Sequence, residues 1–90
     1  MNKIIKFGAE WCQPCKVMQP HFDSFKESKS DGAVEIQAVD VDENRDLVKE
    51  YGIRSIPTTI FIKGGTEVER VTGMQSTDAL LEKYKVHYEN

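Results

Sequence analysis

Cys12 and Cys15, in the stretch Trp11-Cys12-Gln13-Pro14-Cys15, are the side chains whose types and spacing most directly allow chemistry. They are the only 2 cysteines of the chain, so they cannot form a disulfide framework of the kind that staples small secreted domains. A disulfide closing so short a loop adds little entropic stabilisation, which speaks against a purely structural bond. A zinc site normally takes four ligands, and His21 and His87 do not follow at finger spacing, so zinc and an inert thiol pair are the weaker readings. Dithiol–disulfide exchange is the stronger one, because C-x-x-C beside a strand-helix-strand pattern carries that chemistry.

The reactivity of such a pair depends on what holds it. Lys3 to Phe7 is short and Ile-rich and runs into Gly8, which reads as a strand. Val17, Met18, His21, Phe22 and Phe25 recur at helical spacing behind Pro14, a residue tolerated in a first turn. A helix therefore begins near Cys12, and Pro20 is expected to kink it rather than end it. Unpaired amides and the positive dipole end at that helix start favour a thiolate on Cys12, the expected nucleophile. Cys15 lies one turn further in, placed to resolve a mixed disulfide formed at Cys12. Pro14 restricts the turn, and Trp11 offers a flat apolar wall beside the sulfur.

Further along, Val34 to Val41 reads as a strand, and Leu47, Val48 and Tyr51 give a short helical stripe ended by Gly52. Thr58 to Lys63 and Thr66 to Val71 flank Gly64-Gly65 as a hairpin. Ser76 or Thr77 caps a last helix with Leu80, Leu81, Tyr84 and Tyr88 on its face. The order is βαβαββα, an α/β fold with a four-stranded mixed sheet and helices on both faces, in a single domain over residues 1–90.

Composition narrows the function classes. With 90 residues there is no room for a separate cofactor module, and 39% hydrophobic against 30% charged residues is globular composition. A net charge of −3 with no long run of one sign gives no footprint for nucleic acid or an anionic membrane. No stretch reaches the roughly 18 apolar residues of a membrane span. The apolar run before Lys6 is shorter than the roughly seven residues of a secretory leader, so a cytoplasmic location is expected.

Phe7, Ala9-Glu10-Trp11-Cys12, Pro14-Cys15-Lys16 and Pro20 together resemble the active-site stretch of the thioredoxin family. Asp42, Tyr51-Gly52-Ile53-Arg54, Ile56-Pro57-Thr58 and Gly73 after Val71-Thr72 are similar to the family's later motifs, so the resemblance runs from Ile5 to the last helix. It is to a short form, without an N-terminal strand and helix. The resemblance implies that Cys12 attacks, that Cys15 resolves and that Pro57 is cis, with Ile56 presenting backbone groups to an extended substrate. Trp11, Ile56, Pro57, Gly73 and Met74 would then form an apolar platform for partner proteins. It further implies a monomeric reductant of protein disulfides that binds no cofactor or metal and draws electrons from NADPH through a flavin-dependent thioredoxin reductase. Two rival readings are a glutaredoxin-like enzyme coupled to glutathione, against which Gln13 and Trp11 speak, and a non-enzymatic partner-binding subunit.

Some positions depart from that pattern. Gln13 stands where glycine is commoner, a neutral change of modest expected effect. Lys6 occupies the place where these proteins usually bury an aspartate, and Ala38 the place of the lysine paired with it. A lysine there either puts positive charge beneath the sulfurs, favouring thiolates and the reduced form, or extends to solvent over a buried stem, the favoured expectation. His21 is expected to have a structural role on its helix and His87 to face solvent. Asp40, Asp42 and Glu43 read as capping and loop solvation rather than a metal cluster.

Overall fold

In a computed structural model, which describes residues 1–89, the chain runs β1 (Lys3–Gly8), α1 (Gln13–Ser28), β2 (Glu35–Asp40), α2 (Arg45–Tyr51), β3 (Thr58–Lys63), β4 (Thr66–Thr72) and α3 (Thr77–Tyr88). The strands form a 4-stranded sheet in the order β2-β1-β3-β4. β1 pairs parallel with β2 (Phe7 beside Val39) and antiparallel with β3 (Phe7 beside Thr58), so the strand that leads to the cysteines is central.

Side chains of a strand alternate between faces, and β1 divides its apolar residues accordingly. Ile4 packs with Met18, Phe22 and Phe25 of α1, Phe61 of β3, and Leu80 and Tyr84 of α3. Ile5 and Phe7 face the other way, against Val39, Ile60 and Ile62, with Leu47, Val48 and Tyr51 of α2 over them. Helices thus cover both faces. Each fully buried Phe or Ile stabilises the fold by about 1.5–3 kcal/mol, and four phenylalanines, Phe7, Phe22, Phe25 and Phe61, are among them.

Local chemistry sets the ends of these elements. Gly64 and Gly65 have φ of 59° and 82°, the backbone that a two-residue hairpin turn requires and a side chain resists. Ser76 caps α3 by accepting a hydrogen bond from the Ala79 amide. α1 continues as one helix through Pro20, while β2 is one residue shorter at each end than the apolar run. The hairpin is less regular than its alternation suggests: the register shifts between Phe61 and Ile62, which pair with Glu69 and Glu67, and Val68 is left over as a bulge.

Candidate active site: the Cys12–Cys15 disulfide

The two cysteines are joined in a disulfide, with 5.2 Å between their Cα atoms. Cys12 is the N-cap of α1, in extended conformation, and its Sγ accepts a hydrogen bond from the Cys15 amide at 3.3 Å. Pro14 lies in the first turn, where its missing N–H leaves nothing unsatisfied, and no acidic residue lies there to oppose a negative charge on sulfur. Both residues are almost fully covered, Cys12 at 6% exposure and Cys15 at 4%, so exposure separates them little. Position does. Cys12 Sγ lies 3.9 Å from the Ile56 carbonyl oxygen, whereas Cys15 Sγ packs toward β1, 3.3 Å from where a side chain on Gly8 would begin.

The second wall comes from the segment before β3. The Ile56–Pro57 bond is cis. Pro57 is fully buried, so it shapes the surface through Ile56 rather than lining a platform itself, which corrects that part of the expectation. Its carbonyl accepts from the Gly73 amide at 2.8 Å, joining the two loops beside the disulfide. Around them Trp11 and Met74 are exposed at 69% and 44%, and Ile56 is half-buried. The Trp11 indole N–H donates to Asp42 Oδ2 at 2.8 Å, which fixes the ring's orientation. Gln13 is exposed and leaves the pair uncharged on that side.

Behind the disulfide opens a cleft of about 550 Å³. Lys6, Gly8, Cys15, Lys16, Gln19 and Asp40 are among its lining residues. Lys6 does not extend into bulk solvent but ends on the floor of this cleft. It is 3% exposed, its Nζ donates to Gln19 Oε1 at 2.5 Å, and it lies 5.0 Å from the centre of the Phe22 ring. The strand geometry compels this, because Lys6 shares the inward face with Ile4 and α1 covers the way out. Burial pushes the Lys6 ammonium below its ordinary pKa, with the Asp23 carboxylate opposing.

Other candidates lie outside the site. His21 Nδ1 accepts from the Thr77 amide at 3.2 Å, tying α1 to the start of α3. His87 is half-buried, not solvent-facing: Nε2 meets Glu69 Oε1 at 2.6 Å and the ring lies beside Phe61. Asp40 Oδ1 accepts from the Asp42 and Glu43 amides, which organises the loop, while Asn44 is the N-cap of α2. Among the described residues no group of three or more His, Cys, Asp or Glu is placed to hold a metal ion, and no helix is long and apolar enough to cross a membrane. The sequence reading missed Gln19, Asp23 and the closeness of Gly8 to Cys15. Only the period-2 facing of Lys6 and Gly8 toward α1 hints at them.

Comparison with known proteins agrees with this geometry. The family profile described as Thioredoxin matches residues 1–86. Similar chains include Thioredoxin-T of Drosophila melanogaster, 42% identical over 90% of this chain and 52% of that protein. A thioredoxin of Rickettsia felis is 41% identical over 88% of this chain and 74% of its own length. The chain thus spans about half the length of the first relative and about three quarters of the second. Among solved structures, a mutant thioredoxin from Halobacterium salinarum NRC-1 superposes with a TM-score of 0.87 at 32% identity, over 99% of this chain and 76% of that one. A sheet whose central strand delivers a C-x-x-C pair to a helix start, opposite a cis-proline, is the frame of this site, and the chain belongs to the thioredoxin family, a thiol–disulfide oxidoreductase with Cys12 and Cys15 as its redox couple.

Proposed function

We propose that the protein reduces disulfides in other proteins, with Cys12 as attacking thiolate and Cys15 as resolving thiol. In the reduced state Cys12 thiolate attacks one sulfur of a substrate disulfide, forming a mixed disulfide and releasing the other sulfur as a thiolate that takes up a proton. Cys15, deprotonated, then attacks Cys12, which regenerates the Cys12–Cys15 bond and frees the reduced substrate. The observation that carries the assignment is the cap: Cys12 Sγ already accepts the Cys15 amide hydrogen at the helix start, an interaction that strengthens when the sulfur is charged. The exposed Trp11 and Met74, together with Ile56 beside Cys12 and Gly73 bonded to Pro57, support a docking surface for an extended segment of the substrate. Asp42 holds the Trp11 ring in place for it.

The same reading assigns re-reduction to an NADPH-fed, flavin-dependent thioredoxin reductase, with the chain acting as a cytoplasmic monomer. Glutathione coupling is not favoured by the family match, and a partner-binding role without chemistry would leave the capped cysteine unused. The test is reduction of a protein disulfide with dithiothreitol as electron source, following each cysteine variant. Cys12→Ser is expected to lose activity to the level of dithiothreitol alone. Cys15→Ser is expected to accumulate a covalent adduct with substrate, released by added thiol. Full activity in Cys12→Ser, or trapping through Cys15 instead of Cys12, overturns the assignment.

A further inference from the structure

A lysine buried on the floor of the cleft behind a redox-active disulfide is an unusual use of charge. An ammonium has three donors, and among the described residues Lys6 Nζ has one hydrogen-bond acceptor, the side-chain oxygen of Gln19. The Gln19 amide is oriented by this bond, so that its Nε2 donates onward to Asp23 Oδ1 at 2.7 Å. Asp23 is exposed, so the chain Lys6, Gln19, Asp23 leads from the buried floor of the cleft to solvent along one face of α1. Its other end meets the active site. Gln19 lies one helical turn from Cys15, about 6 Å. Lys6 lies two residues from Gly8 on the same face of β1, about 7 Å, a Cβ on Gly8 would stand 3.3 Å from Cys15 Sγ, and Lys6, Gly8 and Cys15 line one cleft.

We propose that Lys6, Gln19 and Asp23 form a charge-setting chain for the disulfide, in which reduction of Cys12–Cys15 draws a proton onto Lys6 and the Asp23 carboxylate, reached through Gln19, favours its uptake. The inference rests on the thiol–disulfide reading of the site. When an external dithiol reduces the protein, two electrons enter, the bond between Cys12 and Cys15 breaks, and the reductant becomes a disulfide. At alkaline pH the two sulfurs are left unprotonated, and negative charge appears on Cys15 beside the cleft. A Lys6 that was neutral in the oxidised protein then binds a proton from solvent, which the cleft admits, and becomes the counter-charge. Burial brings this step down from the ordinary lysine range, and Asp23 pulls it part of the way back.

The remaining groups around Lys6 leave that role to these three. Opposite it on β3 is Thr59 and on β2 Ala38, both uncharged, and the Phe22 ring covers it from α1. Glu10, Lys16 and Asp40 line the same cleft, but the Asp40 carboxylate is occupied by the Asp42 and Glu43 amides, and Asp23 is the charged group that acts on Lys6. Gln19 and Asp23 are positioning residues, acting on the sulfurs only through Lys6.

The experiment is the reduction potential of the native chain, of Lys6→Met and of Asp23→Asn, measured from about pH 6 to about pH 11 against a reference dithiol, with Trp11 fluorescence as readout. The native protein is expected to show an alkaline stretch in which the equilibrium constant changes by up to about tenfold more per pH unit than in Lys6→Met, equivalent to about 30 mV. In Asp23→Asn that stretch is expected at lower pH, because no carboxylate helps Lys6 hold its proton. A merely structural role would alter stability and leave the profiles parallel. Coincident native and Lys6→Met profiles overturn the proposal, and coincident native and Asp23→Asn profiles overturn the part given to Asp23. Failure of the thiol–disulfide reading looks different: none of the three proteins would then equilibrate with the dithiol at any pH.

Discussion

Gly8 is the smallest residue on β1 and ends the strand beside Cys15. A side chain there would begin 3.3 Å from Cys15 Sγ, tighter than most such contacts, and 3.4 Å from its Cβ, at the edge of ordinary packing. Neither neighbour is free to give way, since Cys15 is held in the first turn of α1 and Gly8 in the central strand. Gly8→Ala is therefore expected to cost about 1–3 kcal/mol by overpacking, read as a lower urea midpoint at unchanged slope. It is also expected to make the Cys12–Cys15 bond easier to reduce, because opening the disulfide lets the Cys15 sulfur move away from the new methyl group. An unchanged midpoint would mean that the strand and helix part more readily than their packing indicates. Lys6, two residues earlier on the same face, shows how one residue type can be misread. Most surface lysines lie along a stem and end in water, and only the covering helix decides that this one cannot.

At the level of elements, β4 illustrates what a single extra residue does. In an uninterrupted strand Glu67 and Arg70 would point to opposite faces. The bulge at Val68 brings them to one, where Arg70 makes two hydrogen bonds to Glu67 and one to the Tyr51 carbonyl at the end of α2. Glu69 falls on the other face and receives Lys83 and His87 of α3. The Lys83 bond first, then that of His87, holds the Glu69 carboxyl below its usual pKa of 4.5. A carboxylate with a depressed value stabilises the fold above the unfolded pKa, and this is lost as pH falls through the folded one. Glu69→Gln should thus be less stable than the native chain at neutral pH, by no more than about 1 kcal/mol for so partly exposed a cluster. The difference should shrink as pH falls below 4.5 and through the lowered folded value, a comparison that urea titrations at several pH values make directly. Nothing in the alternation from Thr66 to Val71 marks the bulge, since a register shift is a property of two strands. The hairpin itself was legible, because Gly64-Gly65 between two β-forming runs leaves few other conformations. So was the capped start of α3 at Ser76. Contacts between distant segments, such as Trp11 with Asp42 and His87 with Glu69, carry no local signal, and the sequence could not place them.

For the whole molecule, the last helix acts as a clasp on the sheet. The Tyr88 hydroxyl reaches the carbonyls of Ile62 at 2.9 Å and Lys3 at 3.3 Å, so the end of α3 is tied to the two middle strands at once. Burial pushes its pKa from 10.0 up to about 12. The unfolded chain loses that proton first, so stability is expected to fall as pH rises from 10.0 to about 12. Tyr88→Phe should lack this alkaline fall and be less stable by about 0.5–1.5 kcal/mol at neutral pH, which thermal unfolding across the alkaline range would show. The location of the couple, at a strand-to-helix junction in a four-stranded mixed sheet, was readable from periodicity and C-x-x-C spacing. The buried floor beneath it was not, because it exists only once α1 lies across β1. The sheet order has a further consequence for how the chain is made. β1 emerges before both its neighbours, and Lys3 pairs with Glu35 on one side and with Ile62 on the other, so the strand feeding the cysteines waits until β3 has been made for its second neighbour. A nascent chain halted before Lys63 would carry both cysteines on a half-built scaffold, open to exchange with any passing disulfide, and the protein becomes a selective reagent only when its hairpin has closed.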